Sequence, residues 1–155
     1  MKLTQSLTAF AVTFALALGV PGIAAAETNS HDGHAGATLE LVLNDGAKWQ
    51  GDQSMIDGMS AIRAAMAANL GPIHDGSLTA DGAKTLAADV QKQVDFMVEN
   101  CVLEPAVDEQ LHAVLGGVLN GIGALESGEV EAGAVAIVQA LNAYGAHFEH
   151  PGWQD

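Results

Sequence analysis

The chain has 155 residues, with 19 Asp and Glu against 5 Lys and Arg and a formal net charge of −14. So acidic a protein repels nucleic acid and anionic lipid, which excludes both as partners, and it attracts cations only weakly and without selectivity. With one cysteine, Cys101, the fold has no intramolecular disulfide to rely on.

Residues 1–26 read as an export signal. Lys2 supplies a positive start, Leu7 to Val20 is an almost unbroken apolar run, and Pro21-Gly22 breaks it before the small residues Ala24-Ala25-Ala26. The run is too short for a permanent membrane helix. Cleavage after Ala26 is expected to deliver a periplasmic protein of about 130 residues with no membrane contact, a normal size for one domain. An unpaired thiol in that oxidising compartment must be buried, dimerised, modified or bound to metal.

Residues 27–51 form an irregular tail and arm. His31 and His34 are read as solvated, Leu39 to Leu43 as an extended arm or half-turn, and Asn44-Asp45-Gly46 as a turn. Trp49 is a candidate for packing the arm onto the domain of residues 52–155. No other β signal is present.

Four helices follow. Asp52 is a candidate N-cap for the first, whose stripe is Met55, Met59, Ile62, Met66 and Leu70 and which Gly71-Pro72 is expected to end. His74 falls in the next loop. The second starts near Thr79 and carries Leu86, Val90, Val94, Met97 and Cys101. Pro105 suits the first turn of the third, whose stripe is Leu111, Leu115, Val118, Ile122 and Leu125. After the Ser127-Gly128 turn, the fourth carries Val130, Ala134, Ile137, Leu141, Tyr144 and Phe148. The fold class is therefore all-α: an antiparallel up-down-up-down four-helix bundle with an irregular N-terminal arm. Helix three is rich in small residues, including Gly116, Gly117, Gly121 and Gly123. Each interior glycine costs about 1 kcal/mol relative to alanine, which close helix approach or a flat neighbour would have to repay.

In such a bundle one end collects Met55, Met59, Met97, Cys101, His112, Tyr144, His147 and His150, with His74 and Met66 toward the other. Each has a plain structural explanation: methionines fill cores, a thiol on an apolar stripe is buried, and histidines at a helix end complement its dipole. Together, thioether, thiolate and imidazole are the donors that suit copper(I), or zinc where thiolate and imidazole dominate. Met59, Cys101, His112 and His147 are the expected ligands of a soft ion, copper, bound for buffering or delivery. Met55, Met97 and His150 are held in reserve, and Tyr144 stands behind them as a donor.

Helix four also carries a family resemblance. Ala143-Tyr144-Gly145-Ala146-His147 occupies the place of the Cys-x-x-Cys-His motif in cytochrome c-prime, with alanine for both cysteines. The wording Ser127-Gly128-Glu129-Val130-Glu131-Ala132 and Asn142-Ala143-Tyr144 is similar to the b-type periplasmic relatives of that family. The resemblance spans residues 52 to 148 in architecture and helix four in wording. It implies non-covalent haem b held by His147 and by Met55 or Met59, for electron transfer. A third expectation is a metal-free interaction bundle, binding a partner protein or forming a homodimer through Cys101 or an exposed Pro151-Gly152-Trp153 end. Catalysis is not expected, because Cys101 has no basic neighbour in sequence to activate it.

Overall fold

A computed structural model describes residues 41–153. The signal segment, His31, His34 and the arm up to residue 40 lie outside the described residues. Four helices make up most of the structure: α1 (Gln53–His74), α2 (Ala80–Asn100), α3 (Pro105–Glu126) and α4 (Val130–His147). The chain is all-α apart from two short paired segments. No described helix is long and apolar enough to cross a membrane.

Local chemistry sets the helix ends. Asp52 caps α1, its Oδ1 accepting from the Met55 amide at 2.8 Å, and Thr79 caps α2 by accepting from the Gly82 amide at 3.0 Å. Each satisfies a donor that the first turn leaves without an intrahelical partner. Pro105 opens α3, where its missing N–H costs nothing. Gly128, at φ +88°, takes the left-handed conformation that lets the chain turn into α4.

Pro72 does not end α1. The helix continues to His74, so that histidine is helical rather than in a loop. A proline this close to the C-terminus forfeits one hydrogen bond, and the Pro72 carbonyl accepts from the Ser77 and Leu78 amides, both at 2.9 Å. Those bonds hold the helix end to the connection that follows.

The apolar stripes meet in one core. Met55, Met59, Ile62, Val90, Val118, Ile137 and Tyr144 have at most traces of exposed surface. Leu70 departs from its stripe and is 42% exposed, because it lines a surface groove with Val138 of α4. Around the core, α1 packs on α2, α2 on α3, α3 on α4 and α4 on α1. The α3–α4 seam is the closest. At Gly121 an added Cβ would lie 2.7 Å from the Gly133 carbonyl oxygen, and at Gly133 it would lie 2.7 Å from that of Gly121. The two backbones therefore touch through paired glycines. Close approach accounts for Gly121, whereas Gly116 and Gly123 face open space.

Helix four ends at His147, short of both Phe148 on its stripe and the His150 expected at its end. Phe148 keeps its buried place but in extended form, at φ −119° and ψ 141°. Phe148–Glu149 (β2) pairs in parallel with Trp49–Gln50 (β1), Trp49 opposite Phe148 and Gln50 opposite Glu149. A two-residue pair has no periodicity to read, so the sequence expectation of no strand missed it. The pair ties the arm to the end of α4. Further ties come from the Gln110 side chain, which accepts from the Val42 amide at 2.9 Å, and from Lys48 Nζ, which donates to the Gly145 carbonyl at 2.6 Å. Trp49 does pack against the core, as expected, and its indole N–H donates to the Val42 carbonyl at 2.6 Å.

Candidate functional site

Cys101, Asp52 and Asp108 meet where α1 begins, α2 ends and α3 begins. Cys101 is the C-cap of α2 and half-buried. Its thiol hydrogen-bonds the Asp52 carboxylate, and Asp108 and Tyr144 are near enough to act on it electrostatically. Burial, Asp52 and Asp108 together push the thiol from 9.0 up to about 12. It is a protonated donor at neutral pH. Its reaction with a disulfide reagent at about pH 8 is expected to run roughly tenfold or more below that of the urea-unfolded chain, because the thiolate is the nucleophile. Equal rates in a thiol-release assay would refute this.

Asp52 does more than cap a helix. Its Oδ2 accepts from the Val102 amide at 2.6 Å, so one carboxylate joins the start of α1 to the α2–α3 connection. Burial works to raise this carboxyl, but hydrogen bonds from Val102, Met55, Cys101 and Ser54 outweigh it and hold the group below its ordinary value. Its role as a bridge has no sequence signal, since the cap pattern is satisfied within α1 alone.

Thioethers stand beside this junction. Met55, Met59 and Met97 are buried in the core. Met97 lies against the backbone of Gly58, between Met55 and Met59 along α1, so closely that a Cβ at Gly58 would collide with its Cγ. Met55 in turn covers Gly51. Met97 of α2 thus lies against the stretch of α1 that carries Met55 and Met59.

The histidines divide. His112 lies on the exposed side of α3, its side chain 67% accessible, with Nδ1 2.9 Å from the Asp108 carbonyl and 3.4 Å from its carboxylate. His147, half-buried, donates Nδ1 to the Ala143 carbonyl at 2.7 Å. Each ring bonds back to a carbonyl one turn earlier on its own helix. His150 sits beyond the helix end, so the expected one-turn pair with His147 is not formed. It faces inward: Nδ1 is 3.0 Å from the Tyr144 hydroxyl and Nε2 is 3.0 Å from Ser60 Oγ on α1.

Around His150 the chain end folds into an aromatic cluster. Tyr144 stacks on Phe148 at 4.9 Å and meets Trp153 edge-on at 4.9 Å, while His150 lies 4.8 Å from Trp153. The Arg63 guanidinium covers the Trp153 ring at 4.6 Å. Trp153 is therefore packed, not an exposed end. Gly152, at φ +79°, turns the chain back, and Gly145 leaves the space that the indole fills. The legible signal was the Pro151-Gly152 turn before a tryptophan; what it would land on was not legible.

Burial and the Arg63 charge lower the His150 imidazole below its ordinary value of 6.5, with Asp57 opposing. The unfolded chain then binds more protons between the two values, so stability from neutral His150 is present above about pH 6.5 and lost as pH falls. Denaturation midpoints are expected to drop from about pH 7 to about pH 5 less steeply in His150→Gln than in the parent. Parallel pH profiles would contradict the assignment.

Among the described residues, no three of His, Cys, Asp and Glu stand together so as to hold a metal ion. A site at this junction would have to draw on thioethers. No family model, curated protein or solved structure matches this chain.

Proposed function

We propose that this is an exported, periplasmic metal-binding protein whose helices form an antiparallel up-down-up-down bundle, and that it binds copper(I) for buffering or delivery. The short connections at residues 75–79, 101–104 and 127–129 favour antiparallel neighbours. The single observation that carries the metal reading is Asp52, whose carboxylate bonds both the Cys101 thiol and the Met55 amide, with Met97 lying against Gly58 in the stretch of α1 that carries Met55 and Met59. Thiolate and thioether are the donors that prefer copper(I), and Asp52 and Asp108 add negative charge that favours a cation. His112 and His147 both engage Nδ1 with a backbone carbonyl, which leaves Nε2 as the basic nitrogen, the arrangement found in metal-ligating histidines. They complete the set as donors at the solvent side.

Binding to a protonated Cys101 must release its proton. A copper(I) titration against a competing chelator is expected to give one ion per chain, with about one proton released at neutral pH. Cys101→Ser and Met97→Leu are each expected to weaken binding roughly tenfold or more, and His112→Ala to do so as well if it closes the site. Parental affinity in both Cys101→Ser and Met97→Leu would remove the site. The b-type haem reading, with His147 and Met55 or Met59 as axial ligands, is separated by adding haem to the same protein: a Soret band supports it, and its absence rejects it.

A further inference from the structure

The seam between α1 and α4 is not closed along its length. Two cavities of about 540 and 490 Å³ lie along it and share Leu70 and Val138, so they form one groove. Its middle is apolar, and Leu70 is 42% exposed there. One end is built from Arg63, Asn142 and Trp153; the other reaches Ile73 and Ala134 and is lined as well by His74, Glu131 and Gln139. Arg63 to Ile73 is ten residues of one helix, a length of about 15 Å.

We propose that this groove binds a single-chain amphiphile with an anionic head, a fatty acid, its carboxylate at Arg63 and its chain along Leu70 and Val138 toward Ile73. Three observations choose this occupant. Since α1 and α4 touch beside the groove, it is a crevice over a contact, with room along its length for one alkyl chain. Its volume lies in the range of small-molecule sites, which occur between bundle helices. Its polar end carries a guanidinium, which matches a carboxylate with paired N–H donors and has five in all, enough for several partners. The net charge of −14 repels an anionic surface, but that long-range field is screened within about 8 Å at physiological salt, and the contact at Arg63 decides the binding of one molecule. The site shares no residue with the proposed metal ligands, so failure of either leaves the other standing.

The test is calorimetric titration of the full mature chain with dodecanoic acid and with dodecanol, following tryptophan emission in parallel because Trp153 lines the groove. Saturable binding of one acid per chain is expected. Arg63→Gln should weaken the acid roughly tenfold and leave dodecanol unchanged. Leu70→Asp, at an exposed position, should abolish binding of both while circular dichroism shows a folded protein. Absence of saturable binding, equal loss for acid and alcohol in Arg63→Gln, or a Leu70→Asp chain that binds like the parent would each overturn the proposal.

Discussion

Gly121→Ala is expected to lower stability by about 2 kcal/mol, although alanine is the better helix former. The added Cβ would meet the Gly133 carbonyl oxygen at 2.7 Å and the Ile137 amide nitrogen at 3.1 Å. Both are backbone atoms of α4, so no rotamer change relieves the clash, and α3 and α4 must separate along their closest seam. Overpacking of this kind costs about 1–3 kcal/mol, more than the gain of about 1 kcal/mol from replacing glycine in a helix. Gly133→Ala should cost a similar amount, since its Cβ would meet Gly121 O at 2.7 Å and Leu125 N at 2.9 Å. Gly116→Ala is the control: nothing lies within 4 Å of its added Cβ, and it should hold or raise stability by up to about 1 kcal/mol. Urea denaturation of the three variants decides it. If Gly121→Ala matched Gly116→Ala, the glycine contact would not be what holds the two helices together.

Tyr144→Ala is expected to cost about 3–5 kcal/mol, the range for truncating a large buried aromatic side chain. Tyr144 is fully buried, and its ring joins Phe148, His150 and Trp153 into one cluster. Losing it opens a cavity under the folded-back chain end and frees the indole. Tyr144→Phe keeps the ring and removes only the hydroxyl bonded to His150 at 3.0 Å, so a loss of about 1 kcal/mol is expected. Denaturation followed by tryptophan emission separates the two. Equal losses in both variants would mean that the hydroxyl, and not the ring packing, carries the tail. Because burial also pushes the Tyr144 hydroxyl well above its ordinary value, it stays protonated and acts as a neutral hydrogen-bonding group toward His150.

How much of this molecule could be read from its residues varied with the range of the interaction. Asp52 and Thr79 were legible as caps because a cap acts within its own turn, and each bonds an amide three residues on. Pro105, the Ser127-Gly128 turn and nearly every stripe residue were legible for the same reason. Pro72 misled because the cost of a proline depends on its distance from the helix end and on what receives its carbonyl, here Ser77 and Leu78. The candidate site was only half legible. Its sulfur donors follow from helix periodicity, which buries Met55, Met59 and Met97 together. Its histidines do not, because a side chain on a stripe's flank can turn either way. His112 faces solvent toward Asp108, and His150, held in reserve, is the one that turns inward.

By itself the sequence determined an all-α chain of four helices, their caps and turns, and which face of each helix is apolar, since these depend on groups within a turn or two of one another. Only the tertiary structure decided that Gly121 and not Gly116 is a point of helix contact, that Asp52 bridges to Val102 and Cys101, and that Gln50 pairs with Glu149. It also decided that Trp153 folds back under Arg63 and that α1 and α4 leave a groove between them. These arrangements join segments far apart in the chain. Their energies arise from packing and desolvation between surfaces that meet only after folding, and no local pattern of residues encodes them.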